Sequence, residues 1–321
     1  MPRADLIENL VRAGTRGDQA LFRQVAEALV AEERAKQHHV FAERLAKYLS
    51  NGTSSSGVST RIDERVQNLF FEITPTRSLK DLILPENVLV ACQELVEECN
   101  RSELLRSHNL EPRHRILLAG PPGNGKTSLA EAVAESLMIP LIVVRYEGVI
   151  GSYLGETANR LHRIFEYART RHCVLFFDEF DTLGKERGDL HETGEIKRVV
   201  SSLLLQMDRI PSHVIVITAS NHPELLDRAV WRRFQLRLFL PGPERKQIEE
   251  WFNRFDKKFG MRLDYPVGKL ATALNGLSFA ELEDFSEDIS RRYVLSLPGS
   301  NLNKIVGERL EQWRSRFSLK R

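Results

Sequence analysis

The sequence predicts an α/β fold, in which helices flank a parallel β-sheet and a smaller helical domain follows it. Three observations support this prediction. A short apolar run leads directly into a glycine-rich turn and the start of a helix. Further apolar runs with the length of strands alternate with helical segments, which is the pattern of a parallel sheet with crossover helices. From Pro243 onward, the pattern of the residues is helical to the end of the sequence.

The glycine-rich turn begins at Gly120 and has the pattern Gly-x-x-x-x-Gly-Lys-Thr. It follows the apolar run 116–119, and its glycines permit left-handed backbone that points N–H groups into one concavity. A helix N-terminus at Ser128 also favours anions. We therefore predict a phosphate-binding loop, in which Lys126 contacts the β- and γ-phosphates and Thr127 binds Mg2+. The residues of this loop predicted to bind nucleotide are Pro122, Gly123, Asn124, Gly125, Lys126, Thr127 and Ser128.

Four more strands are predicted after this loop, over residues 141–144, 174–177, 214–219 and 236–240. The strand 174–177 ends in two carboxylates, at the edge where parallel sheets place ligand-binding groups. We expect Asp178 to hold Mg2+ and Glu179 to polarise the water that attacks the γ-phosphate.

The composition narrows the possible partners and location. Lys and Arg number 46 and Asp and Glu number 44, so no overall basic field favours nucleic acid. The three cysteines form no C-x-x-C pair, which is typical of a reducing compartment. No apolar run approaches the length of a membrane span, and the N-terminus has no signal-peptide pattern. We expect a cytoplasmic protein that binds neither nucleic acid nor membrane.

Four segments are predicted along the chain. Residues 1–50 form an N-terminal helical hairpin, and the Ser- and Gly-rich residues 51–60 form a flexible linker. Residues 61–242 form the large α/β domain, which residues 61–74 enter as a strand or extended segment, and residues 243–321 form the small helical domain. The hairpin is either a stabilising appendage or a docking module for a partner.

Four further motifs complete a resemblance to a known family. These motifs span residues 79–85, 151–156, 218–223 and 226–234. Together with the phosphate loop and the Asp-Glu strand, they resemble the AAA subfamily of the AAA+ P-loop ATPases over roughly residues 78–293. Within this subfamily the chain resembles small stand-alone bacterial members that form a single ring.

The resemblance implies a P-loop NTPase sheet, a C-terminal helical lid domain, and ATP with Mg2+ as the bound cofactors. It places the backbone of Asp81, Leu82 and Ile83 against adenine, with Ala280 near the same base. It also implies that Asn221 hydrogen-bonds the attacking water or the γ-phosphate.

Arginines of the last motif are implied to enter the active site of a neighbouring subunit, so that hydrolysis requires an assembled ring, expected to be a hexamer. Arg233 is the first candidate for this arginine finger and Arg232 the second. Gln235 and Leu236 stand where many members carry an acidic residue and a second arginine. A second finger would therefore have to come from Arg232 or Arg237.

The residues Tyr153, Leu154 and Gly155 resemble the loop that grips an extended polypeptide in the central pore of the ring. A second pore-facing loop is plausible at residues 185–191. In the helical domain, Phe279 stands where the family usually has glycine, and it could crowd the base or stack on it.

Two functions are compatible with these residues. In the first, the ring couples ATP hydrolysis to threading or remodelling of protein clients. In the second, it is a nucleotide-driven switch or scaffold that controls a dedicated, separately encoded effector such as a protease. A DNA-dependent loader is disfavoured by the charge balance.

Overall fold

The computed structural model describes residues 19–35, 68–145, 154–181, 193–255, 265–297 and 301–318, with the isolated positions 6, 9, 12, 14, 259, 260 and 263. The chain divides into two compact units, Met1–Arg65 and Val66–Arg321. The first unit contains helix α1 (Gln19–Ala35), whose buried residues Val25 and Leu29 follow the helical period. Most of residues 1–18 and all of residues 36–50 of the predicted hairpin lie outside the described residues, as does the predicted linker 51–60. Among the helices described, none is both long and apolar enough to cross a membrane.

The second unit is built around a six-stranded sheet. The strands are β1 (Phe70–Ile73), β2 (Arg115–Ala119), β3 (Leu141–Val144), β4 (Cys173–Phe177), β5 (Val214–Ser220) and β6 (Leu236–Phe239). Their order is β1-β3-β4-β5-β2-β6. β2 to β6 pair in parallel, which confirms the predicted fold class.

β1 departs from the predicted parallel pattern, because it pairs antiparallel with β3. The sequence predicts a strand or extended segment over 61–74 but assigns it no partner. β1 precedes the first crossover helix, so nothing constrains it to run in the direction of the other strands. The result is an antiparallel edge on an otherwise parallel sheet.

Helices cover both faces of the sheet. They are α2 (Glu86–Asn100), α3 (Ser102–Ser107), α4 (Lys126–Ser136), α5 (Leu154–Arg169), α6 (Thr193–Asp208) and the short α7 (Arg228–Trp231). Residues of α5 and α6 pack on the face that carries Leu117, whereas α2 and α4 pack on the face that carries Ile116 and Leu118. Alternate residues of β2 thus point into different apolar layers. α2 ends at Asn100, and α3 follows after Arg101.

The C-terminal helices have an apolar core of their own. They are α8 (Arg245–Asn253), α9 (Val267–Ala273), α10 (Phe279–Leu295) and α11 (Leu302–Ser318). Phe252, Phe285 and Trp313 are central in this core, and Phe285 meets each of the other two rings edge to face. Ser278 caps α10 through a capping box with Glu281, which fixes where this helix begins. This helical bundle is called the lid below.

Candidate functional site

A cleft of about 1080 Å3 lies between the carboxyl edge of the sheet and the lid. Such a volume is at the upper end for pockets that hold small ligands and cofactors. The structure brings to this cleft all the residues predicted to bind nucleotide and Mg2+, together with the two predicted to act on the attacking water. They are Asp81, Leu82, Ile83, Pro122, Gly123, Asn124, Gly125, Lys126, Thr127, Ser128, Asp178, Glu179, Asn221 and Ala280.

The loop after β2 takes backbone conformations that its glycines make accessible. Gly120, Gly123 and Gly125 have φ angles of 145°, 76° and 79°. Gly120 also passes close to the chain after β6, because a Cβ atom there would lie 2.1 Å from the carbonyl oxygen of Leu240. A side chain at residue 120 is therefore excluded by both backbone geometry and space.

Lys126 is the first residue of α4, and its side chain folds back along the loop. Its Nζ donates to the carbonyl oxygens of Gly120 at 2.8 Å and Pro121 at 2.9 Å. Burial lowers the pKa of Lys126, and the negative charges of Asp178 and Asp181 partly oppose this effect. The residue is only 6 % exposed. A cation held by neutral carbonyl oxygens beside an open cleft is well suited to an anionic ligand.

Thr127 and Asp178 meet at the end of the sheet, where the hydroxyl of Thr127 donates to Oδ2 of Asp178 at 2.8 Å. One hydroxyl and one carboxylate form the partial oxygen ligand set that Mg2+ takes from proteins when phosphates supply further ligands. The donor set thus fits the magnesium nucleotide expected from the sequence, with Thr127 and Asp178 as the residues that would hold the metal ion.

Glu179 follows Asp178 in an unusual backbone conformation. Its φ angle is 47°, in the left-handed region that residues other than glycine rarely adopt. Its backbone N–H donates to Oδ1 of Asp178 at 2.9 Å, which secures the turn after β4. Such conformations persist where the surroundings impose them, and they concentrate at functional sites.

Asn221 follows β5 and reaches the cleft from the strand beside β4. Its backbone N–H donates to Oδ1 of Asp181 at 3.0 Å, and the hydroxyl of Ser220 donates to the same oxygen at 3.1 Å. Asp181 is 1 % exposed. Sequence reasoning missed this positioning residue, although it stands three residues after Asp178 in an acidic cluster.

The lid is fastened directly to the phosphate loop. The N–H of Ala280 donates to the carbonyl oxygen of Gly123 at 2.9 Å, and the N–H of Phe279 donates to Oδ1 of Asn124 at 3.4 Å. A Cβ atom on Gly123 would lie 2.8 Å from Oγ of Ser278. The loop therefore needs glycine here to accommodate the first turn of α10.

The wall at residues 78–83 is held in two ways. Ser78 and Asp81 form a capping box, in which the N–H of Ser78 donates to Oδ2 of Asp81 at 2.9 Å. From the lid, Nη1 of Arg254 donates to the carbonyl oxygens of Lys80 at 3.2 Å and Asp81 at 3.4 Å. The carboxylate of Asp81 thus orders the backbone, while Leu82 and Ile83 line the cleft.

Sequence reasoning missed several residues that line the cleft from the lid and from the segment before residue 78. The lid residues are Trp251, Arg254, Phe255, Phe259 and Glu283, and the others are Thr76, Arg77, Lys80 and Leu84. The rings of Trp251 and Phe279 lie 6.0 Å apart, so an aromatic surface faces the loop. The aromatic residues between positions 251 and 259 were visible in the sequence, but such residues also fit the core of a helical domain.

The candidate finger residues lie apart from this cleft, and neither Arg232 nor Arg233 is among the residues that line it. Arg233 pairs with Asp208 of the same chain, and Arg232 is at the end of α7. The side chain of Gln235 accepts from the N–H groups of His114 and Arg115, at 2.9 and 3.1 Å. The glutamine at this unusual position thus pins the start of β2.

The predicted pore loops are only partly within the described structure. Tyr153 and the segment 185–191 lie outside the described residues. Leu154 and Gly155 are described only as the first residues of α5. Their predicted contact with a polypeptide remains a prediction.

Comparison with known proteins identifies the family. The model of the family "ATPase family associated with various cellular activities (AAA)" matches residues 116–242. An uncharacterized AAA family ATPase of Sinorhizobium fredii, y4kL, is 36 % identical over 88 % of this chain and 87 % of its own length.

Two archaeal proteins are also similar to this chain. A putative 26S proteasome regulatory subunit homolog of Methanothermobacter thermautotrophicus is 30 % identical over 67 % of this chain and 58 % of its own length. A cell division cycle protein 48 homolog of Archaeoglobus fulgidus is 35 % identical over 60 % of this chain, which spans 28 % of that protein. With a matching family model and a relative aligned along most of both chains, this protein belongs to the AAA family of ATPases.

Proposed function

We propose that this protein is a Mg-ATP-hydrolysing AAA ATPase that acts as an oligomeric ring and uses hydrolysis to thread or remodel protein clients. The observation that carries the hydrolytic part is the convergence of Lys126, Thr127, Asp178, Glu179 and Asn221 on one cleft. These side chains supply a cation for phosphates, oxygen ligands for a metal ion, and polar groups beside them.

Each residue has a distinct role in the proposed reaction. Lys126 neutralises charge on the β- and γ-phosphates, and Thr127 with Asp178 holds Mg2+, which supplies further charge neutralisation when bound. Glu179 polarises the attacking water, since its carboxylate follows the metal-binding Asp178 at the same edge. Asn221 positions that water or the γ-phosphate, and Asp181 positions Asn221.

Assembly into a ring, expected to be a hexamer, is supported by the arrangement of the arginines. Members of the family generally form oligomeric rings. Arg233 and Arg232 lie outside the cleft of their own chain, so an arginine finger from this region would serve a neighbouring subunit. The three cysteines form no C-x-x-C pair, which is typical of proteins in a reducing compartment, so we propose that the ring assembles in the cytoplasm.

Protein clients are favoured by two observations. The predicted pore loop contains an aromatic residue, Tyr153, between glycines. One relative is named as a putative 26S proteasome regulatory subunit homolog, and we take this name as support for a protein client. Replacement of Tyr153 by alanine should abolish client handling and spare ATP hydrolysis, and continued remodelling by this variant would exclude threading through this loop.

The hydrolytic proposal is tested by two variants of the same cleft. Glu179→Gln should retain ATP binding but lower the hydrolysis rate by about 100-fold or more, whereas Lys126→Ala should lose ATP binding. Calorimetric titration measures binding, and phosphate release measures hydrolysis. Near-normal turnover by Glu179→Gln would remove this residue from its role, and tight ATP binding by Lys126→Ala would contradict the assigned loop.

A second candidate function is a nucleotide-driven switch that controls a dedicated effector. It is favoured by the separation of residues 1–65 into a compact unit of their own, which contains the amphipathic helix α1. Deletion of residues 1–50 should then uncouple the effector without changing ATP hydrolysis. Capture of proteins by Glu179→Gln with ATP distinguishes one stoichiometric partner from the diverse clients of a general unfoldase.

A further inference from the structure

We propose that Arg77 is a phosphate-binding residue of this site and contacts the phosphate nearest the ribose. This inference rests on the proposed function, because it assumes that a nucleoside phosphate occupies the cleft. Arg77 lies in the segment between β1 and the Ser78 cap, outside the loop and the strand that hold the residues described above.

The side chain of Arg77 contacts the helix that directly follows the phosphate loop. Its Nη1 donates to the hydroxyl of Ser128, two residues after Lys126 on α4. Both residues line the cleft. The guanidinium is therefore fixed at the first turn of α4, where backbone N–H groups and the helix dipole already favour negative charge.

A carboxylate on α4 fixes the backbone that carries this arginine. Oε1 of Glu131 accepts from the N–H groups of Thr76 at 3.2 Å and Arg77 at 3.3 Å. The distance from Nε of Arg77 to Oε2 of Glu131 is 3.9 Å. Glu131 thus anchors mainly the backbone, while the Arg77 side chain keeps 48 % of its surface exposed.

The position of Arg77 distinguishes it from the residues at the other end of the phosphate chain. Thr127 points to Asp178, where Mg2+ would be held. Ser128 is the next residue, about 100° further around the helix, and faces the segment that continues to Leu82 and Ile83 of the expected adenine wall. A guanidinium at Ser128 therefore lies between the metal end and the base end, which is where the first phosphate belongs.

A guanidinium offers several donors in a planar arrangement that matches phosphate oxygens, and such charge-assisted bonds are among the strongest in proteins. Loss of one should weaken binding of every ligand that has this phosphate by about tenfold. A residue that contacted only the second or third phosphate would leave the affinity for AMP unchanged.

The test measures displacement of a fluorescent ADP analogue by ATP, ADP, AMP and adenosine from wild type, Arg77→Gln and Arg77→Lys. We expect Arg77→Gln to bind ATP, ADP and AMP each about tenfold more weakly while adenosine affinity is unchanged, with partial recovery in Arg77→Lys. Arg101→Gln is the charge-matched control, because Arg101 is exposed and pairs with Glu97 away from the cleft.

Each alternative outcome has a definite meaning. Unchanged affinities for all four ligands, or equal losses that include adenosine, would overturn the proposal. A loss confined to ATP and ADP would place Arg77 at a later phosphate and would also overturn it. If Arg77→Gln lowers the unfolding temperature without ligand, the affinities of Arg77→Lys decide between a structural and a binding role. Partial recovery of ATP, ADP and AMP binding supports a binding role, and no recovery overturns the proposal. Failure of wild type itself to bind ATP or ADP would refute the proposed function instead.

Discussion

The Nε atom of Arg233 lies 2.8 Å from Oδ2 of Asp208, and Oδ1 of the same carboxylate lies 3.2 Å from Nη1 of Arg115. Asp208 ends α6 and Arg115 begins β2, so one carboxylate links the candidate finger to the central sheet. This arrangement orients Arg233 from within its own chain. Arg233 would therefore make its expected contact with the neighbouring subunit from a position that Asp208 holds in place.

Asp208→Asn should lower the ATPase rate of the assembled ring by about tenfold. The reason is that a neutral amide replaces the negative carboxylate that orients Arg233. Arg233→Ala should lower the rate by about 1000-fold, the effect of removing an arginine finger. Both variants should bind ADP as wild type does, since neither residue lines the cleft. Phosphate release and calorimetry provide the two measurements.

Mixed rings provide the control for this prediction. Arg233→Ala subunits mixed with wild type should suppress activity at neighbouring sites, whereas independent activity of the two populations would contradict a shared site. If Arg233→Ala is fully active and Arg232→Ala is not, the finger is the second candidate.

Gly120→Ala should lower the free energy of unfolding by about 2–4 kcal/mol. The added methyl group would meet the carbonyl of Leu240, and the φ angle of 145° is unfavourable for alanine. Urea denaturation without nucleotide measures this loss. Gly125→Ala is the matched variant, because among the described residues no atom beyond its chain neighbours lies within 4 Å of its added Cβ. It should cost about 1–2 kcal/mol for the left-handed conformation alone. Equal losses in the two variants would show that close packing at Gly120 is unimportant.

Asp181→Ala should slow ATP hydrolysis by about tenfold or more while leaving ATP affinity within about twofold of wild type. The reason is that Asp181 accepts from the N–H of Asn221 and from Ser220 but does not line the cleft. Unsatisfied donors should also lower stability by about 1–3 kcal/mol. Single-turnover hydrolysis and calorimetry separate these effects.

Asp181→Asn is the control, because its side-chain oxygen can still accept from both donors. It should recover more of the hydrolysis rate than Asp181→Ala. Equal activity of all three proteins would show that Asn221 needs no such support.

Acid should destabilise the protein partly through His114. Burial lowers the pKa of this imidazole below its ordinary value of 6.5, and the Arg115 charge acts in the same direction, while the carbonyl of Pro112 opposes them. The unfolded state then binds the proton more readily. The stability is fully present above pH 6.5 and falls as the pH drops toward the pKa of the folded state, by about 1.4 kcal/mol for each pH unit between the folded and unfolded pKa values.

His114→Gln removes this titrating group and should have a shallower loss of stability between about pH 7 and pH 5. Urea denaturation at several pH values measures the difference between the two proteins. Parallel pH profiles for wild type and His114→Gln would show that the histidine contributes nothing.

The loop and the parallel strands are predictable because their signals are local. Gly120 to Thr127 form a contiguous motif, and the strands from β2 onward are mostly apolar, although Arg237 interrupts β6. The direction of β1 was not predictable in this way, since Phe70 pairs with Val144, far along the chain. Direction depends on tertiary pairing rather than on residue type.

The same distinction explains which site residues were missed. Asp178 and Glu179 stand beside a strand signal, whereas Arg77 and Trp251 reach the cleft only through folding. Asp181 is ambiguous in sequence because an acidic residue after a strand usually faces water. Its burial and its bond to Asn221 become apparent only from the structure.

The link between Ala280 and Gly123 has a mechanical consequence. The lid core and the layers around the sheet are separate apolar clusters, and hydrogen bonds worth about 1 kcal/mol each join the lid to the loop and to the backbone of residues 80 and 81. Breaking these bonds would leave both clusters packed, so we expect the lid to move as a rigid body. Ala280, in the first turn of the long helix α10, donates to the backbone carbonyl of Gly123 in the loop. We therefore expect a shift of the loop to move α10 with it.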